Sequence, residues 1–400
     1  MNFLFYRFRG AGRGHAVKIR RAAAIALIAY CAASPARAAE DPKFSLRGQL
    51  SGWLGYHDAP SAEGALGLRY IPALSLSLDL GRGWALDSEI SVNATGAARG
   101  DSLPGLTASG EVKPYRMWVR LATDRFEARL GLQKINFGSA MLLRPLMWFD
   151  RIDPNDPLQL TDGVTGLLLK YTFAGNANIW MWGLYGNGDP KGWETVGTKK
   201  NAPEFGGRIQ IPVPAGEAAL SYHHRTIDAA NGGAAQPAGE RTNPPEDRLG
   251  FDGKWDLGVG VWVEADLTRQ GYVVIPLRYQ RTLTVGLDYT FGLGNGLHVL
   301  AEHLNAAVAA GVWEKGAARD FTGLTLDYPL GVLDRLSGMA FYGGSTGDWY
   351  RLLTWRRTYD HWSFYVIGFW NPDRYQIFPG RTGASLFAGK GIQLTIVFNH

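Results

Sequence analysis

The chain has 400 residues, with 41 Lys or Arg against 36 Asp or Glu and one cysteine. Seven of the basic residues and none of the acidic ones lie in residues 1–38, so the 34 basic residues left over face 36 acidic ones. The formal net charge of +5 is therefore no argument for nucleic acid, and a lone cysteine excludes a disulfide framework.

Residues 1–38 read as a secretory signal peptide. Arg7, Arg9, Arg13, Lys18, Arg20 and Arg21 precede the apolar run Ala22–Ala33, and Ala36–Ala38 supplies a small-x-small cleavage pattern. Two other readings of the run are a short buried helix and a lipoprotein leader ending at Cys31. For the second, bulky Tyr30 stands where a small residue is wanted. Residues 39–400 then form one domain with no thiol. No apolar run in it approaches the ~18–20 residues of a spanning helix, yet the chain carries 52 Gly, 14 Trp, 17 Tyr and 18 Phe. This combination predicts an all-β, transmembrane antiparallel β-barrel of the outer membrane, with a secreted soluble β protein as the alternative.

Alternation favours the barrel. Leu66, Leu68, Tyr70, Leu74, Leu76, Leu78 and Leu80 share one face, against Arg69, Ser75, Ser77 and Asp79. Trp84, Leu86, Ile90 and Val92 oppose Asp87, Glu89 and Ser91, and Phe126, Ala128, Leu130 and Leu132 oppose Arg125, Glu127, Arg129 and Gln133. Val259, Val261, Val263, Ala265 and Leu267 oppose Glu264 and Asp266. A period of two over about 10 residues with a charged second face is the membrane-barrel pattern, whereas soluble strands average about 5–6 residues. About 18 such segments are predicted, with 16 as the alternative: 44–56, 64–80, 84–94, 113–122, 125–136, 163–173, 177–187, 204–213, 216–226, 247–256, 259–269, 277–291, 296–304, 320–329, 333–343, 349–356, 361–370 and 389–398.

The connections alternate between short turns and longer loops at 57–63, 95–112, 137–162, 188–203, 227–246, 270–276, 305–319, 344–348 and 371–388. Short periplasmic turns and long extracellular loops produce this alternation, with both termini in the periplasm. Aromatics precede the short turns at Tyr171–Phe173 and Tyr289–Phe291, and more weakly in Leu326–Gly331, as an interfacial girdle would. At the C-terminus Ile392, Leu394, Ile396 and Phe398 alternate to an aromatic. This resembles the terminal strand of outer-membrane proteins read by the barrel-assembly machinery, except that Asn399 and His400 follow.

The stretch LGLQKINFG…WFDRIDPNDPLQL resembles outer-membrane porins of the alginate-export and related specific-porin type, in many of which a strand of pattern G-R-Q-x-(I/V)-x-(F/W)-G leads into a loop rich in Asp-Pro. Gly131, Gln133, Ile135, Phe137 and Gly138 match, and Leu132 stands where Arg is usual. The resemblance implies a porin-like channel and covers about 30 residues. The segment 137–163 is too apolar for a solvated loop and too rich in proline for a strand. It is expected to be the third long loop, folded into the lumen, with Met141, Leu142, Leu143, Trp148 and Phe149 on the wall. Arg144, Asp150, Arg151, Asp153 and Asp156 would then line a constriction. The alternative is an outer loop packing on its neighbours.

About 8 strands leave a filled interior and 16–18 an aqueous channel, while a plugged receptor needs about 22. The inward charges divide into a basic wall of Arg47, Arg69, Arg116, Arg120, Arg125, Arg129 and Lys170, and an acidic wall of Asp252, Asp256, Glu264, Asp266, Asp288, Glu302 and Asp327. These either create a field across the lumen or pair locally. No catalytic, cofactor or metal motif stands out. His223 and His224 are adjacent on a strand and point to opposite faces, and Gly292–Gly296 reads as a tight turn. The expected function is passive diffusion of small polar or charged solutes, without enzymatic activity. The alternatives are passage of an anionic polysaccharide and a barrel-borne hydrolase. Expected partners are outer-membrane lipid and lipopolysaccharide, the assembly machinery, small solutes and, for self-association, a homotrimer.

Overall fold

The computed structural model describes residues 42–58, 62–101, 105–150, 157–228, 243–271, 278–373 and 387–400. The expected leader at residues 1–38 lies outside them, as do Arg151, Asp153 and Asp156. The described chain is all β. Its strands are β1 (Lys43–His57), β2 (Glu63–Gly81), β3 (Trp84–Gly100), β4 (Thr107–Ala122), β5 (Phe126–Gln133), β6 (Val164–Thr172), β7 (Asn178–Tyr185), β8 (Pro203–Val213) and β9 (Gly216–Thr226). They continue as β10 (Pro245–Asp256), β11 (Gly260–Gln270), β12 (Tyr279–Phe291), β13 (Leu297–Ala309), β14 (Ala317–Pro329), β15 (Asp334–Gly343), β16 (Asp348–Thr358), β17 (Trp362–Trp370) and β18 (Lys390–Asn399).

Every strand pairs antiparallel with its sequence neighbours, and β1 pairs with β18, Gly52 opposite Ile396, so the 18-stranded sheet closes on itself. Closure leaves no row of unpaired edge amides, which the membrane interior would not tolerate. One end carries turns as short as residues 82–83 and 214–215. The other carries the connections 134–163, 186–202, 227–244 and 371–389.

The expected loop at 95–112 is corrected. β3 and β4 stay paired to Arg99 opposite Thr107, leaving only 101–106 as the connection. Residues such as Ala94, Gly96, Ala97 and Ala98 carry too little apolar contrast to show a period of two, yet they pair as well as any strand. Pro114 has no N–H to give the ladder and sits at a register shift between β3 and β4, where one is not needed.

Burial is inverted relative to a soluble protein. On β12 the outward Leu283, Val285 and Leu287 are 46%, 45% and 49% exposed, whereas the inward Thr282 and Thr284 are 3% and 0% exposed. β9 and β18 repeat this, with Leu220, Ile392 and Leu394 outside and Ser221, Gln393 and Thr395 inside. An apolar outer belt around a polar interior suits hydrocarbon outside and water within. At the short-turn end Tyr171–Phe173 and Tyr289–Phe291 form exposed edge-on pairs, each with centroids 4.9 Å apart. Tyr328 accepts the Asn295 amide at 3.3 Å through its hydroxyl, tying two neighbouring turns together. Replacing Val285, midway along the outer face of β12, by Arg is expected to lower folding stability by about 2–4 kcal/mol. Denaturant unfolding of the lipid-reconstituted protein measures this.

Candidate functional site

The connection between β5 and β6 turns its apolar side chains to the inner wall. Phe137, Leu146, Trp148 and Phe149 are buried with Val164 and Leu168 of β6 and Trp182 and Leu184 of β7. Phe137 stacks on Trp182 at 5.6 Å and Phe149 meets it edge-on at 5.3 Å. Ala140, Leu142 and Leu143 pack on Trp262 of β11, Leu300 and Leu304 of β13, Phe341 of β15 and Tyr350 of β16. The apolar surface that made this stretch look unlike a loop is thus covered by inward residues from both sides of the barrel.

Its described residues form no helix or strand to satisfy the backbone, and buried amides need acceptors. Wall carboxylates supply them. Glu302 accepts the amides of Met141 (2.6 Å), Leu142 (3.0 Å) and Leu143 (2.6 Å), together with the Trp262 indole N–H (2.9 Å). Glu264 accepts the amides of Ala140 (2.8 Å) and Leu146 (2.5 Å). The Trp148 indole donates to Asp266 at 2.9 Å, and the Thr284 hydroxyl donates to the Leu143 carbonyl at 2.6 Å. Gly138 has φ of 102°, and a Cβ there would strike the Glu264 carboxylate, so only glycine lets chain and carboxylate approach this closely.

A second connection, 186–202, covers the first. The Trp193 indole donates to the Arg144 carbonyl at 2.7 Å. A Cβ on Gly192 would collide with the Met147 carbonyl. Beside Trp193 lies a buried ionic network. Glu194 meets Arg225 at 3.0 Å and Arg248 at 2.7 Å, and Glu246 meets Arg225 at 2.5 Å and Arg248 at 2.6 Å. Lys191 and His223 both reach Glu204, at 3.1 and 3.3 Å. Sequence reasoning missed Lys191, Glu194, Glu204, Arg225, Glu246 and Arg248. Lys191, Glu194 and Glu246 fall in expected loops, and nothing local marks any of the six as mutually paired.

Of the expected wall residues, Glu264, Asp266 and Glu302 are engaged by the β5–β6 connection. Asp252 pairs with Arg208 and accepts the Ser139 hydroxyl at 3.3 Å. Asp256, Asp288 and Asp327 lie toward the short turns, where Asp256 accepts the Gly258 amide at 3.1 Å, Asp288 is 3.7 Å from His298 and Asp327 is 3.3 Å from Arg335. On the other arc Arg120 bridges Asp87 (2.8 Å) and Glu127 (3.0 Å), and Arg129 joins Glu127 at 3.1 Å. Cations there lie over aromatic rings: Arg129 over Trp118 at 4.7 Å, Lys170 over Trp180 at 3.8 Å and Arg69 over Trp53 at 5.5 Å. Arg116 is buried and donates to the Thr161 carbonyl at 3.0 Å, whereas Arg47 and Arg125 are exposed. Met141, expected on the wall, is 59% exposed, while Arg144 and Asp150 are buried.

The two histidines separate as their adjacency requires. His223 is buried inside against Trp182, and His224 lies on the outer face, 2.8 Å from Asp247, which also accepts the Tyr222 hydroxyl at 2.7 Å. Among the described residues no group of three or more His, Cys, Asp or Glu is placed to hold a metal ion.

Between the covered wall and the basic arc is a cavity of about 550 Å³, bordered by Arg69, Asn93, Lys113, Tyr115, Asp150 and Asp162 among others. Burial raises the Asp150 carboxyl above the ordinary range, against the pull of Arg144 and Lys134. The fold therefore disfavours the ionised form, and the stability this group contributes falls as pH rises from the ordinary Asp range through the raised value. Asp150→Asn is expected to be at least as thermostable as the parent in detergent at neutral pH, an advantage that vanishes in acid. A less stable variant at neutral pH would contradict this.

No family model matches the chain, and no curated protein sequence does. Solved structures do. OccAB4 of Acinetobacter baumannii, an outer-membrane porin, matches over 92% of this chain and all of its own with a TM-score of 0.56 and 9% identity. Wzi, an outer-membrane protein of Escherichia coli involved in group 1 capsule assembly and described as a carbohydrate-binding β-barrel, matches over 88% of this chain and 84% of its own (TM-score 0.51, 11% identity). The trimer form of OmpT, an outer-membrane protein of Vibrio cholerae, matches over 90% and 100% (TM-score 0.50, 12% identity). At these identities the likeness is one of fold: this chain is a closed 18-stranded barrel resembling those of outer-membrane porins.

Proposed function

We propose that the protein is an outer-membrane, porin-like channel for passive diffusion of small polar or charged solutes, narrowed by the connection between β5 and β6. The carrying observation is the coexistence of an apolar outer face with a charged interior that is only partly filled, the cavity of about 550 Å³ remaining beside the covered wall. A barrel of 16–18 strands is wide enough for water unless loops obstruct it. Here the two connections cover inward residues of strands from β6 to β16, and the cavity borders Arg69, Asn93, Lys113 and Tyr115 of β2–β4. The reading includes export through residues 1–38, insertion through the last strand, contact with lipopolysaccharide, a homotrimer and no catalytic step.

A second reading is passage of an anionic polysaccharide. It is favoured by Arg129 and Lys170 stacked on Trp118 and Trp180, which pair positive charge with flat apolar surface. Swelling of proteoliposomes in isotonic solutions separates the two. Entry of small sugars and amino acids supports diffusion. Exclusion of all small solutes with binding of an acidic oligosaccharide supports the second reading and overturns the first.

A further inference from the structure

We infer that Glu302 and Glu264 are positioning residues of the channel: their carboxylates hold the narrowing segment by its backbone, and they are not free charges that select ions. The inference rests on the channel reading for its electrical consequence alone. Ala140, Met141, Leu142, Leu143 and Leu146 all give their amide hydrogens to these two side chains, at 2.5–3.0 Å. Glu302 takes four donors and Glu264 two, and both side chains are buried, so neither carboxylate is presented to a passing cation. The contact is to main chain, so it dictates where the segment runs and not which side chains it carries. Bonds from amides to an ionised carboxylate are stronger than neutral ones, and a buried amide left without its acceptor is costly.

Three further contacts close the clamp. The Trp262 indole occupies one oxygen of Glu302 at 2.9 Å and fixes the carboxylate's plane. The Thr284 hydroxyl donates to the Leu143 carbonyl at 2.6 Å, so this residue is held through both its amide and its carbonyl. The Trp193 indole of the second connection donates to the Arg144 carbonyl at 2.7 Å. Gly138 is required where the chain passes Glu264. A segment held at so many backbone points is a fixed constriction and not a gate.

The test compares Glu302→Gln with Asp288→Asn. Both remove one negative charge from the inner acidic wall, but Asp288 touches His298 and not the segment. A glutamine at 302 keeps one acceptor oxygen and sets an NH2 against amides that themselves donate. Hydrogen–deuterium exchange of the folded protein in detergent should show the amides of Met141, Leu142 and Leu143 exchanging at least about tenfold faster in Glu302→Gln. Asp288→Asn should leave them unchanged. In bilayers Glu302→Gln should raise conductance and open-channel noise, and Asp288→Asn should not. Equal exchange in the two variants, or equal shifts in ion preference with no change in noise, would overturn the proposal. If Glu302→Gln fails to fold, Glu264→Gln and the near-isosteric Thr284→Val give the same readouts at single points of the clamp. The exchange arm does not depend on conduction, so a parent protein that does not conduct refutes the channel reading while leaving the clamp to be decided separately.

Discussion

Excision of Leu142–Asp156, with the ends rejoined by a short Gly-Ser linker, raises single-channel conductance roughly twofold or more. The expectation follows from what that segment fills. Leu142, Leu143, Leu146, Trp148 and Phe149 are all buried among inward side chains of β6, β7, β11, β13, β15 and β16. Removing them reopens that cross-section to water, which replaces the amides of Leu142 and Leu143 on Glu302 and of Leu146 on Glu264. The closed ladder from β1 to β18 does not involve the segment, so the barrel is expected to remain intact. An unchanged conductance in a folded variant would mean that the segment lies off the conducting path.

The second large effect is on stability. Glu246→Gln is expected to cost about 3–5 kcal/mol, because removing one partner of a buried ionic network leaves the others uncompensated. Glu246 accepts from Arg225 at 2.5 and 3.0 Å, from Arg248 at 2.6 and 2.9 Å and from Gln270 at 2.8 Å. Both arginines are buried, so water cannot replace the lost charge. The double variant Glu246→Gln, Arg248→Met removes charges of both signs and should lose less than the single one. Denaturant titration in lipid or detergent measures both. A loss below about 1 kcal/mol for the single variant would show that the network is hydrated in solution.

Much of the barrel was legible because alternation is a local property. The outward row of β12 and the inward Glu264 and Asp266 of β11 are visible in a dozen residues of sequence. The paired extension of β3 and β4 was not, since alanine and glycine pair without contrast. The odd segment was legible as odd from its own composition: Leu142, Trp148 and Phe149 need cover wherever they lie. What holds it was not legible. Glu302 lies 161 residues from Met141 and Glu264 lies 124 from Ala140, and in sequence each is one more inward carboxylate like Asp288. Whether such a charge faces water, an arginine or a row of amides is decided by closure of the barrel. For that reason the division into a basic and an acidic wall describes the sequence better than the lumen. Three of the seven acidic residues hold the β5–β6 connection and a fourth pairs with Arg208.

The most direct test of the account is single-channel recording of the purified, folded protein in a planar lipid bilayer. A partly filled 18-stranded barrel with a charged lumen predicts stable, stepwise ohmic conductance, its level set by the fixed segment. Bilayers that stay silent, although the protein is shown to have inserted, would contradict it.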